Sequence, residues 1–463
     1  MEATEAPGAG QAPASTPGDV VKAAEAASLR LVRFLYCDND GLIRGKATGV
    51  SGLAERLETG IGLTVAMQAF SMLDRLAPVE GMGPVGEIRL VPDPSTFVVA
   101  PYAPATGVVL VDMRTLDGQP YPADPRGFLR RMTDRAAGSG LEIVAAFEPE
   151  WSLARREGDA WVPIDESTCF SSSGMNAASD VIDDVVGALE AQGMVVEQYY
   201  PELGWGQQEL SIRSAPALRA ADNHILYRET VRGVVSRHGL QASFAPKPWP
   251  DQAGNGCHLH WSAWNADRSL NLFHEEEGAW GLSDLARHFL AGVLEHLPAL
   301  VALTAASVNS YRRLRPQTWA SAYRIWGPDN RESAVRVPST FGSPGGRSTN
   351  LELKASDSSA NPYLSLGGLI AAGLDGIEQG LEPPPPVLAD PAVLGEEERL
   401  RAGAVRLPES LGQAVGNLKR DGVLMEALGE RLAASYIAVK ELDVEAFSLE
   451  DDSFELRQHF AKY

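Results

Sequence analysis

Apolar and polar positions alternate over "LRLVRFLYCD" (29–38), and "NDG" follows as a turn signal, with "LIRGKATGV" (42–50) as the returning strand of a hairpin. "EIRLVPD", "TFVVAPY" and "GVVLVDM" (107–113) read as further short strands, so this region is mostly β with one or two helices. The turn-rich run "TLDGQPYPADPRG" marks a boundary. Beyond it the period changes repeatedly. "PRGFLRRMTDRAAGSG" predicts a helix, "LEIVAAFEPEWSLA" a buried strand, and "ASDVIDDVVGALEAQG" an amphipathic helix ended by Gly193. "VVEQYYPE", "GQQELSIR", "QASFAPKPW" and "GCHLHWSAW" predict strands, with a long helix closed by Gly239 among them. "LARHFLAGVLEHLPALVALTAAS" is helical, and from "NPYLSLGGLIAAGLDGI" onward the chain is largely helical, broken by "EPPPPV" at 382–387. The pattern predicts a disordered tail over 1–19, a mostly β domain over 20–115 and a mixed domain over 116–463. Strands mixed with helices and followed by a helical end indicate an α/β or α+β catalytic fold, without internal repeats.

Composition narrows the functions such a chain can serve. A length of 463 residues, 44% of them hydrophobic and 22% charged, supports a sizeable core. The net charge of -21, from 61 acidic and 40 basic residues, opposes nucleic acid and anionic membrane surfaces as partners. It does not oppose nucleotides, because a bound metal can reverse the local sign. Three widely spaced cysteines, Cys37, Cys169 and Cys257, give neither a disulfide framework nor a zinc site. With no membrane span and an Ala/Pro/Gly-rich start that lacks the marks of a signal peptide, a cytoplasmic location is expected.

The candidate chemistry lies at strand positions. In "FEPEW", Glu148 and Glu150 stand two apart on one strand face, where like charges repel unless a cation sits between them or the face is wet. His258 and His260 repeat this spacing in "CHLHW", opposite Cys257 and Leu259 on the other face. Glu202 and Glu209 in "YYPELGWGQQEL" and Glu352 in "NLELK" complete five carboxylates and two imidazoles. That donor set suits hard divalent ions, and more than three carboxylates suggest two or more of them, as phosphoryl chemistry uses. Each pair alone could equally be an exposed strand face. The arginines cluster too, as Arg312, Arg313 and Arg315 in "NSYRRLRP" and Arg331 and Arg336 in "DNRESAVRVP". Arginine grips carboxylates and phosphates bidentately, although surface ion pairing would also explain the clusters.

Taken in order, "FEPEW", "PELGWGQQE", "GNGCHLHWS", "NSYRRL", "NRESAVRVP" and "LELKASDSSANPYL" resemble the motifs of the glutamine synthetase superfamily, from about residue 25 to the end. The resemblance implies an α+β protein. An N-terminal β-grasp domain would precede a glutamine synthetase-type catalytic domain, a half-barrel sheet with helices. It implies a homo-oligomer, a dodecamer of two stacked hexameric rings with active sites between subunits. Glu150, Glu202 and Glu209 match the ligands of one Mg²⁺ or Mn²⁺ ion, and Glu148, His258 and Glu352 those of a second. His260 and Arg331 match residues that meet the transferring phosphoryl group of ATP, with Arg336 beside them. Gly254 and Arg313 match glutamate-binding positions. Ser262 falls near the nucleotide. The implied reaction activates the γ-carboxylate of glutamate as an acyl phosphate, which an amine then attacks to form an amide.

The sequence departs from glutamine synthetases proper where ammonium binds. Their acid after the "NSY-R-L" segment is Trp319 here, in "RPQTWAS", and no "DGSS" loop occurs near "VAMQAF" (65–70). Ammonium needs carboxylates to compete with water, so their loss favours a larger amine with a carbon skeleton. Ala253 stands where many members have Asn, and Asn350 and Lys354 flank Glu352 where bacterial synthetases have Arg. Lys354 keeps the charge but not the fork. The expected activity is ATP-dependent ligation of glutamate to an organic amine, a monoamine such as ethanolamine or an alkyl- or arylamine being favoured. The alternatives are an ammonia-dependent glutamine synthetase, a γ-glutamylpolyamine synthetase, and a catalytically inactive structural member of the family.

Overall fold

The computed structural model describes residues 14–158, 160–340 and 346–463. The first sheet contains β1 (Leu31–Cys37), β2 (Ile43–Gly49), β3 (Ile61–Thr64), β4 (Glu87–Pro92), β5 (Val98–Val99) and β6 (Thr106–Arg114). Its order is β2-β1-β6-β4-β3, with β5 also paired to β6. β1 and β2 form the expected antiparallel hairpin, and β1 runs parallel to β6. A helix, Pro17–Ala26, starts inside the stretch expected to be a disordered tail. Thr16 and Asp19 close a capping box around its first turn, Pro17 takes a first-turn position, and Val20 and Ala24 bury one face, which is enough to order it. Residues 1–13 of that tail lie outside the described residues.

The second sheet has eleven strands: β7 (Glu142–Glu157), β8 (Ala160–Pro163), β9 (Val196–Pro201), β10 (Gln207–Ile212), β11 (Ala215–Pro216), β12 (Gln241–Ser243), β13 (Cys257–Trp264), β14 (Tyr323–Pro328), β15 (Ser333–Val337), β16 (Leu351–Leu353) and β17 (Val405–Arg406). Its order is β17-β14-β15-β16-β13-β7-β10-β9, and β8, β11 and β12 attach to β7. The sixteen-residue β7 is the spine. Ile143, Ala145 and Phe147 are buried on one face, with partly exposed positions alternating between them, so Glu148 emerges on the face opposite the core.

Behind the sheet lie two long helices, Asp284–Thr304 and Pro362–Gln379. They approach closely because glycines face each other. A Cβ on Gly292 would meet the carbonyl oxygen of Ala372 and lie 2.7 Å from the Gly376 nitrogen. The two sheets are joined by buried polar groups. The "DNDG" turn after β1, read from sequence only as a turn, is fully buried at Asp38, Asn39 and Asp40. Asn361, the cap of the helix Pro362–Gln379, donates to the carbonyls of Cys37 (3.1 Å) and Asp38 (2.9 Å). Lys440 pairs with Asp40 where both are wholly inaccessible, and Arg126 pairs with Asp93, Asp112 and Asp222. Among the described residues no helix is long and apolar enough to cross a membrane. All three cysteines are free.

Candidate active site

Strand register assembles the site. β13 lies antiparallel to β7 with His258 opposite Glu148, and β16 lies on the other side of β13 with Glu352 opposite His260. β15 then sets Arg336 opposite Glu352. On the other flank, β10 sets Glu209 opposite Glu150, and β9 sets Tyr200 opposite Glu209. Cross-strand neighbours on one face have Cβ atoms about 5 Å apart, so the sheet brings together residues up to about two hundred positions apart in sequence. Glu202 was read as a strand residue. It lies one residue past β9, in the turn to β10, near enough to Glu150 and Glu209 to interact with their charges.

The carboxylates divide into a compensated half and an uncompensated half. Glu148 Oε2 lies 3.4 Å from His258 Nδ1 and 3.3 Å from His260 Nε2. Glu352 Oε1 lies 3.3 Å from His258 Nδ1 and 3.5 Å from Lys354 Nζ, and Arg336 Nε lies 3.0 Å from Oε2, an ion pair off the hydrogen-bond axis. Burial disfavours charge on both acids, but these cations outweigh it. Glu148 is held well below the usual range by the two imidazoles, and Glu352 is held at about 2, chiefly by Lys354. The imidazoles differ. Burial and the nearby Lys354 ammonium keep His258 below its ordinary value, whereas Glu148 overcomes burial at His260 and lifts it to about 9. Glu148, His260 and Glu352 form a group whose ligand atoms all lie within 4.8 Å of one another. The expected ligand set had His258 in that place, and both imidazoles reach the same two carboxylates.

Glu150, Glu202 and Glu209 are less compensated: His258 Nε2 lies 3.7 Å from Glu150 Oε1, and the hydrogen-bond donors to the trio are uncharged. Glu150 Oε2 accepts from Gly256 N (2.9 Å) and Gln207 Nε2 (2.8 Å). Glu202 accepts from Leu203 N (2.9 Å), and Glu209 from the Tyr200 hydroxyl. Burial and the charge of Glu150 push Glu202 up to about 7, and burial with Glu148 and Glu150 pushes Glu209 up to about 11. This trio does not close to the spacing of the Glu148 group among the described residues. Its chemistry nevertheless fits a hard divalent ion: three oxygen donors whose burial and mutual repulsion raise Glu202 and Glu209 even with His258 beside Glu150. The question posed by "FEPEW" thus has two answers on one strand: the His258 and His260 imidazoles face Glu148, and amide donors, with His258 at 3.7 Å, hold Glu150.

The remaining predicted residues surround this floor. Arg313 is buried, with Nη1 donating to the Ser356 carbonyl (3.1 Å) and Nη2 lying 3.5 Å from His258 Nε2. Gly254 lets it in, since a Cβ there would lie 2.9 Å from Arg313 Cγ. Lys354 Nζ lies 3.3 Å from His258 Nε2. Asn350 Oδ1 lies 2.9 Å from His260 Nδ1, and Ser262, two residues along β13, accepts from Trp264 Nε1 (2.9 Å). Arg331 and Trp319 are exposed and do not join the buried cluster. Arg312 faces away, onto Asp452 and Glu455. Not picked out in the sequence were Tyr200, two positions before Glu202, and Gln207, two before Glu209, whose spacing was the available signal, and Glu332, which sits inside the quoted "NRESAVRVP".

Comparisons with known proteins agree with this geometry. Two family profiles match the chain: the glutamine synthetase N-terminal domain over residues 16–121 and the glutamine synthetase catalytic domain over residues 122–459. The chain is 38% identical over 438 residues to the gamma-glutamylpolyamine synthetase GlnA3 of Streptomyces coelicolor, covering 92% of this chain and 94% of that protein. It is 35% identical over 430 residues to the glutamine synthetase of Pyrococcus abyssi, covering 92% and 93%. Among solved structures, a novel glutamine synthase homolog superposes with a TM-score of 0.84 at 35% identity, over 94% of this chain and 99% of that one. A GmaS/ADP complex superposes with a TM-score of 0.83 at 31% identity, over 95% and 98%.

Proposed function

The chain belongs to the glutamine synthetase family, and we propose that within it the protein is an ATP-dependent ligase joining the γ-carboxylate of glutamate to an organic monoamine. A γ-glutamyl amide ligase of the glutamine synthetase kind is the common ground of the matched relatives. The monoamine is the finer reading. The observation that carries it is Trp319: an indole, 61% exposed, at the position where the resemblance places an ammonium-binding acid.

On this reading Glu150, Glu202 and Glu209 hold one divalent ion, and Glu148, Glu352 and an imidazole hold a second. The ions would neutralise phosphate charge on ATP. The chain's own groups do the rest. Arg313 holds the carboxylate of glutamate, with Lys354 adding charge beside it. His260, held protonated by Glu148 and oriented by Asn350, and the exposed Arg331 meet the transferring phosphoryl group. Arg336 is tied to Glu352 and fixes that carboxylate. Ser262 lies toward the nucleotide. The amine enters against Trp319 and attacks the acyl phosphate. A homo-oligomer, a dodecamer of stacked rings, working in the cytoplasm belongs to the same reading.

A polyamine acceptor is the second reading, favoured by the 38% identity to a gamma-glutamylpolyamine synthetase. Phosphate release with glutamate, ATP and Mg²⁺ separates the readings. The panel is ammonium, ethanolamine, propylamine, an arylamine, putrescine and spermidine, with products weighed by mass spectrometry. Turnover highest with a monoamine supports the proposal. Turnover highest with spermidine or putrescine replaces it by the second reading, and turnover with ammonium alone removes both.

A further inference from the structure

Glu332 is a carboxylate that neither the metal floor nor the phosphoryl-transfer groups use. It directly follows Arg331 and directly precedes β15, whose Arg336 pairs with Glu352. One of its oxygens, Oε1, accepts the backbone N–H of Trp319 at 2.7 Å. The other, Oε2, is buried and makes no hydrogen bond of good geometry, although the Gln317 backbone N–H also acts on this carboxylate. A buried carboxylate oxygen left unpaired costs about 1–3 kcal/mol or more, so it is not a feature that packing alone would select.

The loop it holds is strained. Gln317, Trp319 and Ser321, none of them glycine, all have φ near +60° (60°, 60° and 63°). Left-handed backbone costs a non-glycine residue about 1–2 kcal/mol, and such strain persists where surrounding contacts over-determine it. The bond from Trp319 N–H to Glu332 is one such contact. The same residue therefore fixes the indole and sets a negative charge beside it. A terminal carboxylate torsion is soft, so either oxygen can turn toward a ligand.

We infer that Glu332 is the acid that receives the ammonium head of the acceptor amine, while Trp319 covers its carbon skeleton; this rests on the amine-ligase reading above. The resemblance places an ammonium-binding acid where Trp319 stands, and Glu332 restores one negative charge thirteen residues later. One charge against one apolar ring suits a cation with a single charged head.

Glu332→Gln tests it, because the amide oxygen still accepts the Trp319 N–H and the loop latch survives while the charge is lost. KM is measured for propylamine, a cation at neutral pH, and for hydroxylamine, which is uncharged there, alongside KM for glutamate and ATP. The expected result is a rise of about tenfold or more in KM for propylamine, as losing a hydrogen bond to a charged group gives, with the other three within twofold. Equal losses for both nucleophiles would mean that Glu332 only latches the loop and would overturn the inference, as would an unchanged propylamine KM. Thermal unfolding within a few degrees of wild type confirms that Glu332→Gln folds, and Glu332→Asp, which retains the charge, serves as a second variant expected to keep discrimination between the nucleophiles. If the wild-type protein uses ammonium but no organic amine, the proposed acceptor fails, and the same comparison with ammonium in place of propylamine still decides Glu332.

Discussion

Replacing Gly256 with alanine puts one methyl group into the space where three side chains of the site converge. An added Cβ would lie 2.5 Å from Arg313 Nη2, 2.9 Å from His258 Nε2 and 3.0 Å from Glu150 Oε1. Ordinary contact begins at 3.4 Å, so the guanidinium must withdraw by about 0.9 Å. A misplacement of about 1 Å costs on the order of 10²-fold in rate, or about 2.7 kcal/mol of transition-state stabilisation. The backbone does not resist the change, because Gly256 is not among the positive-φ glycines and alanine has less chain entropy to lose on folding. Activity and stability should therefore part. The expected kcat/KM for glutamate falls about 100-fold, mostly through KM because Arg313 moves, while Tm stays within about 3 °C of wild type. Steady-state kinetics with saturating ATP and amine, and differential scanning calorimetry, measure the two. A kcat/KM within threefold of wild type would refute the convergence of Arg313, His258 and Glu150 on substrate.

Other outcomes follow from the same charges. Mg²⁺ or Mn²⁺ at about 100 times Kd should stabilise wild type by about 2.7 kcal/mol. Burial and the neighbouring acids already keep Glu209 protonated at neutral pH in the metal-free protein, so calorimetry of Glu209→Gln should show a metal-free stability close to wild type and a smaller gain with metal. Lys440→Met leaves Asp40 buried beside Asp443 without its cation, and urea unfolding should show a loss of about 3–5 kcal/mol. Acid should also destabilise the fold through His459, which burial holds at about 4 despite Glu455. Its ordinary value is 6.5, so the unfolded chain binds the extra proton between those limits. Stability is complete above pH 6.5 and falls toward pH 4, by about 3 kcal/mol for this group; His459→Phe should flatten that part of a stability–pH profile.

Strand alternation made much of the site legible. Glu148 with Glu150 and His258 with His260 announce a polar face because side chains repeat every two residues. Which strands are neighbours was not legible from spacing. The order β16-β13-β7-β10 depends on long-range pairing, and only the family resemblance connected those motifs. Glu202 was misread because its turn position follows the apolar pattern of β9. The burial of "DNDG", read only as a turn, was not legible, since the helical end of the chain that supplies Ser435 and Lys440 lies about 400 positions away. Glu332 was overlooked because its partner is a backbone N–H, which no residue type advertises.

Activation of a carboxylate by phosphoryl transfer, above a floor of acids proposed to hold metal, is the central step of the proposed function. Glutamate carrying ¹⁸O in its γ-carboxylate, supplied with ATP, Mg²⁺ and the best amine of the panel, tests this directly. Mass spectrometry of the released phosphate should find one ¹⁸O per phosphate, transferred when the γ-carboxylate oxygen leaves with the phosphoryl group. Unlabelled phosphate released in step with amide would contradict the acyl phosphate route and the roles assigned to His260 and Arg331.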